Sequence, residues 1–393
     1  MGVSTRKPRP FGLGWVLAAV LVCGGAARVP GQVVLNAGTD IPGALVVFPK
    51  VVNADGRDTV IMLANTQNAP LHVKCWYIGL EVVTGRCLEE DFYVSFTKQM
   101  PTSWRVSEGK TADVTSGLFG GFVQPAKPGF QGELRCLTVA GPGSDVPFPA
   151  NALKGEAIIQ NLTSGQVSAY NAMAFEGNAA NPPVPVCVEG PPATLGKPCT
   201  LGQEGNTACD GLCAVQVKFD GAQYAACPLN IQATHHSDGQ KDLAWGSSTV
   251  TGELTLVPCA RNLNQYPLNP GTPERTLQVV PGTLYVHDEN ERDTSRGISI
   301  DCWFNADIGD VATFGLIYDP VFAGPFVKSR VGDRTNAFEK ANEGLLGVFE
   351  EMYTPSPIPP TGTPYVVGTA AVNMHAQGVR TKFDVFSYSP FLP

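Results

Sequence analysis

Ten cysteines downstream of residue 27 are the residues best equipped for chemistry: Cys75, Cys87, Cys136, Cys187, Cys199, Cys209, Cys213, Cys227, Cys259 and Cys302. An even set in an exported chain reads as five disulfides, because that compartment is oxidising. The alternative is zinc, with its nearest spacing at Cys209-x3-Cys213 and Cys199 upstream, but no histidine stands beside them. Cross-links are therefore the expected use, and their connectivity does not follow from spacing.

The five histidines are His72, His235, His236, His287 and His375. No H-E-x-x-H, G-x-S-x-G or phosphate-cradling glycine loop accompanies them. The run His235-His236-Ser237-Asp238 is the densest group of polar ligands. Neighbours on a strand point to opposite faces, so a polar turn is expected there rather than a shared metal. Asn53, Asp55 and Asp58 form one array of oxygen ligands, and Asn305, Asp307 and Asp310 another. Both have calcium-loop spacing without the later bidentate Glu. The plain reading is an Asp-Gly hairpin turn with solvated acids, and calcium is the alternative. No cofactor is expected. Trp104 lies in Pro101-Thr-Ser-Trp-Arg-Val, read as a loop, and is the candidate partner-binding residue. Exposed aromatics on a sandwich rim grip glycans and proteins. The opposing reading packs Trp104, Trp76 and Trp303 between sheets.

The elements that must position these residues read as strands. Gly43–Val52 and Thr59–Ala64 flank Asp55-Gly56, the signature of a hairpin. In Leu71–Tyr77 the residues Leu71, Val73, Cys75 and Tyr77 share one face, while His72, Lys74 and Trp76 share the other. Further strands are expected at 92–97, 133–139, 156–160, 168–176, 214–219, 252–257, 276–280, 284–287 and 298–304, with a last pair at 365–367 and 370–375. Between them, 179–213 is rich in Pro and Cys with little apolar periodicity, the composition of a stapled linker. The stretch 336–352 is ambiguous between helix and strand, because Gly344 and Gly347 interrupt any long helix.

Short motifs recur in order across the linker. Cys75-Trp76-Tyr77 is echoed by Cys302-Trp303-Phe304, Leu153-Lys-Gly155 by Leu345-Leu-Gly347, and Ala169-Tyr-Asn171 by Ala371-Val-Asn373. Repeated order across two halves is the mark of an internal duplication.

Composition agrees with strands. Only 16% of residues are charged, against roughly 25% in an average globular chain; 43 Gly and 33 Pro help fill the gap. Helix bundles and coiled coils are excluded, and 43% apolar residues can bury a large core. At the start, Arg6, Lys7 and Arg9 precede the apolar run 11–22 and the small residues Gly24–Ala27. That is the layout of a secretory signal peptide, with cleavage expected after Ala27. Cys23 follows Val22 rather than the small residue a lipid-anchor signal wants, so it belongs to the discarded leader. Losing three cations takes the net charge from -8 to -11, which argues against nucleic acid as partner. No other apolar run is long enough to span a membrane.

The chain resembles a group of exported β-rich proteins of environmental bacteria to which no activity attaches. The resemblance is carried by Phe48-Pro49, Arg57-Asp58-Thr59, Asn65-Thr66, Cys75–Tyr77, Thr97–Trp104, Gly132–Cys136, Leu153–Glu156 and Tyr170-Asn171-Ala172. In the second half it rests on Ala226-Cys227-Pro228, Leu256–Cys259 and Asp301-Cys302. It implies export and no particular reaction; the cysteine-rich insert at 187–213 departs from the pattern.

The expectation is an all-β protein of two related antiparallel sandwich-like units. Residues 1–27 are the leader, 33–178 the first unit, 179–213 the linker and 214–393 the second unit. The expected role is a non-enzymatic surface, matrix or appendage module with a protein or glycan partner. The alternatives are a binding module using exposed aromatics and, behind it, a loop-borne hydrolase.

Overall fold

The hairpin at Asp55-Gly56 begins the architecture. Both residues adopt positive φ, 54° and 73°, as a two-residue hairpin loop matched to strand twist requires. Asn53 pairs with Asp58 and Ala54 with Arg57, and then the two strands part company. The computed structural model describes residues 34–81, 86–111, 122–201, 209, 211–236, 241–242, 248–263, 280–288, 293–300, 302–308, 326–333, 344–355, 368–382 and 384–389.

The fold is all-β. The first half holds β1 (Ala37–Gly38), β2 (Leu45–Ala54), β3 (Arg57–Asn65), β4 (Leu71–Glu81) and β5 (Arg86–Phe96). It continues with β6 (Pro101–Arg105), β7 (Phe130–Val139), β8 (Leu153–Asn161), β9 (Val167–Asn171) and β10 (Met173–Phe175). Because β2 and β3 diverge beyond their shared turn, one connected sheet makes two layers. The order β5-β4-β7-β2-β10-β1 forms the first, and β6-β3-β8-β9 the second. Leu71, Val73, Cys75 and Tyr77 of β4 face Ile61, Leu63, Ala157 and Ile159 in the core between them. The alternation expected for β4 is the one observed.

The middle of the chain adds β11 (Pro185–Cys187) and β12 (Cys213–Phe219). After them come β13 (Pro228–His236), β14 (Lys241–Asp242), β15 (Ser248–Pro258), β16 (Arg261–Leu263), β17 (Val280–Asp288) and β18 (Asp293–Ile300). The remainder is β19 (Phe304–Asp307), β20 (Phe326–Asp333), β21 (Leu345–Pro355), β22 (Gly368–Asn373), β23 (His375–Arg380) and β24 (Asp384–Tyr388). The ambiguous stretch is a strand where described: Gly347 lies in β21, its missing Cβ making room for Leu256 and Met374. Residues 336–343 lie outside the described residues.

Strand order in the second half follows that of the first. The order β18-β17-β20-β13-β23 mirrors β5-β4-β7-β2-β10, and β19-β15-β21-β22 mirrors β6-β3-β8-β9. Register agrees as well: Leu63 pairs with Gly155 and Leu256 with Gly347, while Glu156 pairs with Asn171 and Val348 with Asn373. One residue further on, the amide of Ala172 donates to the Gly155 carbonyl and that of Met374 to the Gly347 carbonyl, at 2.9 and 2.8 Å. The expected match between Cys75-Trp76 and Cys302-Trp303 is different. Cys75 lies within β4, whose counterpart is β17, whereas Cys302 lies between β18 and β19. A strand-turn-strand motif recurs at each hairpin, and the sequence match slipped by one.

A third sheet, β11-β12-β24-β16, draws on the middle and end of the chain. Its Val215, Val217, Phe219, Phe386 and Tyr388 share one core with Leu45, Val47, Trp76, Ile78 and Leu137 of the first layer. Val257, Trp303 and Leu346 from the second half join that same core. Residues 34–393 make one compact unit. Among the described residues, no helix is long and apolar enough to cross a membrane.

Candidate functional site

Phe48-Pro49-Lys50-Val51 sits inside an apolar strand, and Pro49 offers no ladder amide. There the pairing of β2 with β7 slips between Phe48 and Val51, a bulge that re-aims side chains. Its backbone groups find other partners. The Trp303 indole donates to the Pro49 carbonyl at 2.9 Å, the Tyr170 hydroxyl donates to the Lys50 carbonyl, and the Lys50 amide donates to Tyr170 Oη at 3.0 Å. The Lys50 side chain is fully buried.

Lys50 enters a cluster that joins the two halves. Glu253 and Glu350 are directly opposed on β15 and β21, and like charges so placed repel. Lys50 and Arg57 resolve the conflict by each bridging both carboxylates. Lys50 Nζ is 2.9 Å from Glu350 and also contacts Glu253; Arg57 is 2.9 Å from Glu253 and also contacts Glu350. Ser168 donates to Glu350 at 2.6 Å, and Asn305 donates to Glu253.

Two opposed carboxylates invite an acid-base reading, in which one must keep a proton near neutrality. Burial pushes both upward, but Lys50 and Arg57 overcome it. Glu253 is held down at about 2, with hydrogen bonds from Lys50 and Asn305 assisting, and Glu350 is also lowered. Both remain ionised, so this arrangement is an electrostatic clamp and contains no proton donor of the kind glycoside cleavage uses.

A second clamp lies at the same junction. Glu133 and Arg135 of β7 are both fully buried. Glu133 accepts from Arg135 at 3.1 Å and from Arg261 of β16 at 2.7 Å. Arg135 also donates to the carbonyls of Pro258 and Cys259, and Arg261 to that of Cys302. Burial, and then the neighbouring Arg261 charge, lower Arg135 to about 10 despite Glu133. It stays charged at neutral pH.

The cysteines pair as Cys75–Cys136, Cys187–Cys209, Cys199–Cys213 and Cys227–Cys259, and Cys302 is also disulfide-bonded. The Cys87 side chain lies outside the described residues. Cys209 and Cys213 belong to two different disulfides, which removes the zinc alternative there. Cys227 and Cys259 also gather with Asp384, but their sulfurs are bonded to each other and Asp384 accepts the Gly344 amide at 2.6 Å.

Trp104 is corrected from an exposed loop residue to a buried strand residue. It lies on β6, 4% exposed, donating to the Tyr77 hydroxyl at 2.6 Å and meeting Phe92 edge-on. The pairing of β6 with β3 places Trp104 opposite Ile61, facing the core. Trp76 packs on Phe386 and Tyr388, and Trp303 is buried too. His235 and His236 end β13 rather than forming a turn. His235 stacks on Phe349, and His236 bonds Glu351. The first calcium array does not converge. Asp58 turns inward to the Thr59 and Ser107 amides at 2.8 and 3.3 Å, while Asn53 reaches the Ala126 carbonyl. In the second array Asn305 joins the clamp, and Asp310 lies outside the described residues.

The sequence reading gave no site role to Lys50, Arg57, Glu253, Glu350, Glu133, Arg135 or Arg261, although Arg57, Glu133 and Arg135 stand within the motifs that carry the resemblance. A signal exists: in a chain with so few charges, an ion within an apolar strand such as Val-Lys-Cys-Trp or Leu-Arg-Cys-Leu requires a buried partner. No family model matches the chain. No curated protein matches its sequence.

Proposed function

We propose that the protein is an exported, non-enzymatic β-sandwich module with a structural or interaction role at a cell surface, in a matrix or in an appendage. The observation that carries this reading is the junction: buried ions there are spent on holding two sandwiches in one fixed arrangement. Ion pairs placed so deep are costly unless fully satisfied, and they lend rigidity rather than reactivity. Four disulfides are consistent with an oxidising, exported environment. The matched strand order and register support a second half that arose by internal duplication.

Negative-stain electron microscopy and light scattering of the exported protein test the role. Filaments, arrays or defined oligomers are the expected result. A clean monomer that binds glycans would favour a binding module instead, and turnover across a broad hydrolase panel would overturn both.

A further inference from the structure

Lys74 is a buried amine in an unusual setting. It lies on β4 with its side chain 1% exposed, between Asp145 Oδ1 at 2.5 Å and Asp91 Oδ2 at 2.7 Å. Register explains the grouping, since Tyr93 of β5 is directly opposite Lys74 and Asp91 is opposite Trp76. Asp145 arrives from the connection after β7. The Tyr388 hydroxyl donates to its backbone carbonyl at 2.7 Å, and the Tyr93 hydroxyl donates to its Oδ1, also at 2.7 Å. Rings of Trp76, Tyr93 and Tyr388 surround Nζ at 5.4, 5.1 and 5.7 Å. One amine, two carboxyl groups, a phenol donor to the Asp145 carboxyl, a second to its backbone carbonyl and an aromatic wall thus meet in one place.

We propose that this is a self-modification site, where Lys74 Nζ condenses with the side-chain carboxyl of Asp145 to form an intramolecular amide, with Asp91 carrying the proton. The starting groups are an ammonium and a carboxylate; the products are an amide and one water. Asp91 accepts one ammonium proton, freeing the nitrogen lone pair to attack Asp145 Cγ. The Tyr93 hydroxyl holds Oδ1 as charge develops there, the role of an oxyanion donor. Asp91 returns its proton to Oδ2, which leaves as water with a second proton from nitrogen. One N–C bond forms, one C–O bond breaks, no oxidation state changes and Asp91 ends as it began.

The surroundings favour the product. A buried ion pair carries a desolvation penalty, whereas a neutral amide suits aromatic walls. Preorganisation supplies what amide formation in water lacks, since the reacting groups are already in contact. Burial pushes Tyr93 up to about 12, so it remains a donor at neutral pH. For Lys74 burial acts downward, but Asp91 and Asp145 outweigh it and favour the ammonium. The bond forms during maturation. The cross-link would tie β4 to the connection held by β24, where the third sheet covers the first sandwich.

Mass spectrometry of the full exported chain tests this, with cysteines reduced and the N-terminus identified. The expected mass is one water below that of the sequence. Tryptic digestion should give a branched peptide joining Lys74 to Asp145, with no cleavage after Lys74. Lys74→Met, Asp145→Ala and Asp91→Asn should each restore the full mass. A wild-type chain at full mass after prolonged incubation would overturn the proposal, whatever the variants do. So would loss of water with only linear peptides, the signature of a succinimide.

Discussion

Lys50 illustrates what one side chain does in this interior. It neutralises two carboxylates that strand pairing forces together, so its removal leaves Glu253 and Glu350 with Arg57 alone. Lys50→Met should cost about 3–5 kcal/mol, the range for breaking a buried pair from one side. The double variant Lys50→Met/Glu350→Gln should cost less than the sum of the two singles. Urea denaturation of the four proteins completes the cycle, and strict additivity would refute the coupling. His235 sets an acid limit. Burial, against Phe349, lowers it from 6.5 to about 4, even though its Nδ1 bonds the His236 carbonyl. A group depressed on folding contributes fully above its unfolded value, and that contribution fades as pH falls from about 6.5 towards 4. The loss should reach about 3 kcal/mol by pH 4. Melting curves across that window should show it, and His235→Phe should flatten them. The carboxylates of the clamp act lower, from about pH 4.5 downward to about 2 for Glu253.

Gly155 and Gly347 occupy equivalent positions on β8 and β21, and each faces a leucine on the neighbouring strand. A Cβ on Gly155 would lie 2.4 Å from the Phe48 ring, and one on Gly347 2.9 Å from Leu256 and Met374. Alanine at either position should therefore destabilise by about 1–3 kcal/mol, the usual cost of overpacking. Alanine tolerated at one site and not at the other, measured by chemical denaturation, would break the equivalence of the two strands. The segment between the halves depends on covalent bonds instead. Among the described residues of 179–212 only β11 is a strand; Cys187–Cys209 closes a loop within the segment and Cys199–Cys213 ties it to β12. Replacing Cys199 and Cys213 by serine should expose it to proteases well before the sandwiches unfold, which timed proteolysis with peptide mapping would reveal. Strands were readable here because alternation survives wherever one face is buried. The hairpin at Asp55-Gly56 was readable because few residues accept positive φ. Trp104 was not, since a five-residue strand between turn residues resembles a loop until its partner β3 is known.

Across the whole molecule, a common core and two charged clamps join elements far apart in the chain. Unfolding should consequently give one cooperative calorimetric transition, with the calorimetric and van't Hoff enthalpies in agreement. Two resolved transitions would mean that the sandwiches are energetically independent. What the amino-acid sequence determined by itself was local or additive. Scarce charge, abundant Gly and Pro, and period-two patterning dictate an all-β chain, and even cysteine usage dictates cross-links. The order of motifs at Gly155 and Gly347 also pointed to the matching register of β8 and β21. Tertiary structure alone decided which cysteines pair and where the tryptophans face. It also decided that Lys50, Arg57, Glu253 and Glu350 meet, and that Lys74 reaches Asp91 and Asp145. The reason is physical. Strand periodicity is set by neighbours a few residues away, whereas an ion's partner is chosen by sheet register and layer packing across as many as 300 residues of chain. A lysine in an apolar strand announces that it needs a carboxylate, and only the fold says which one.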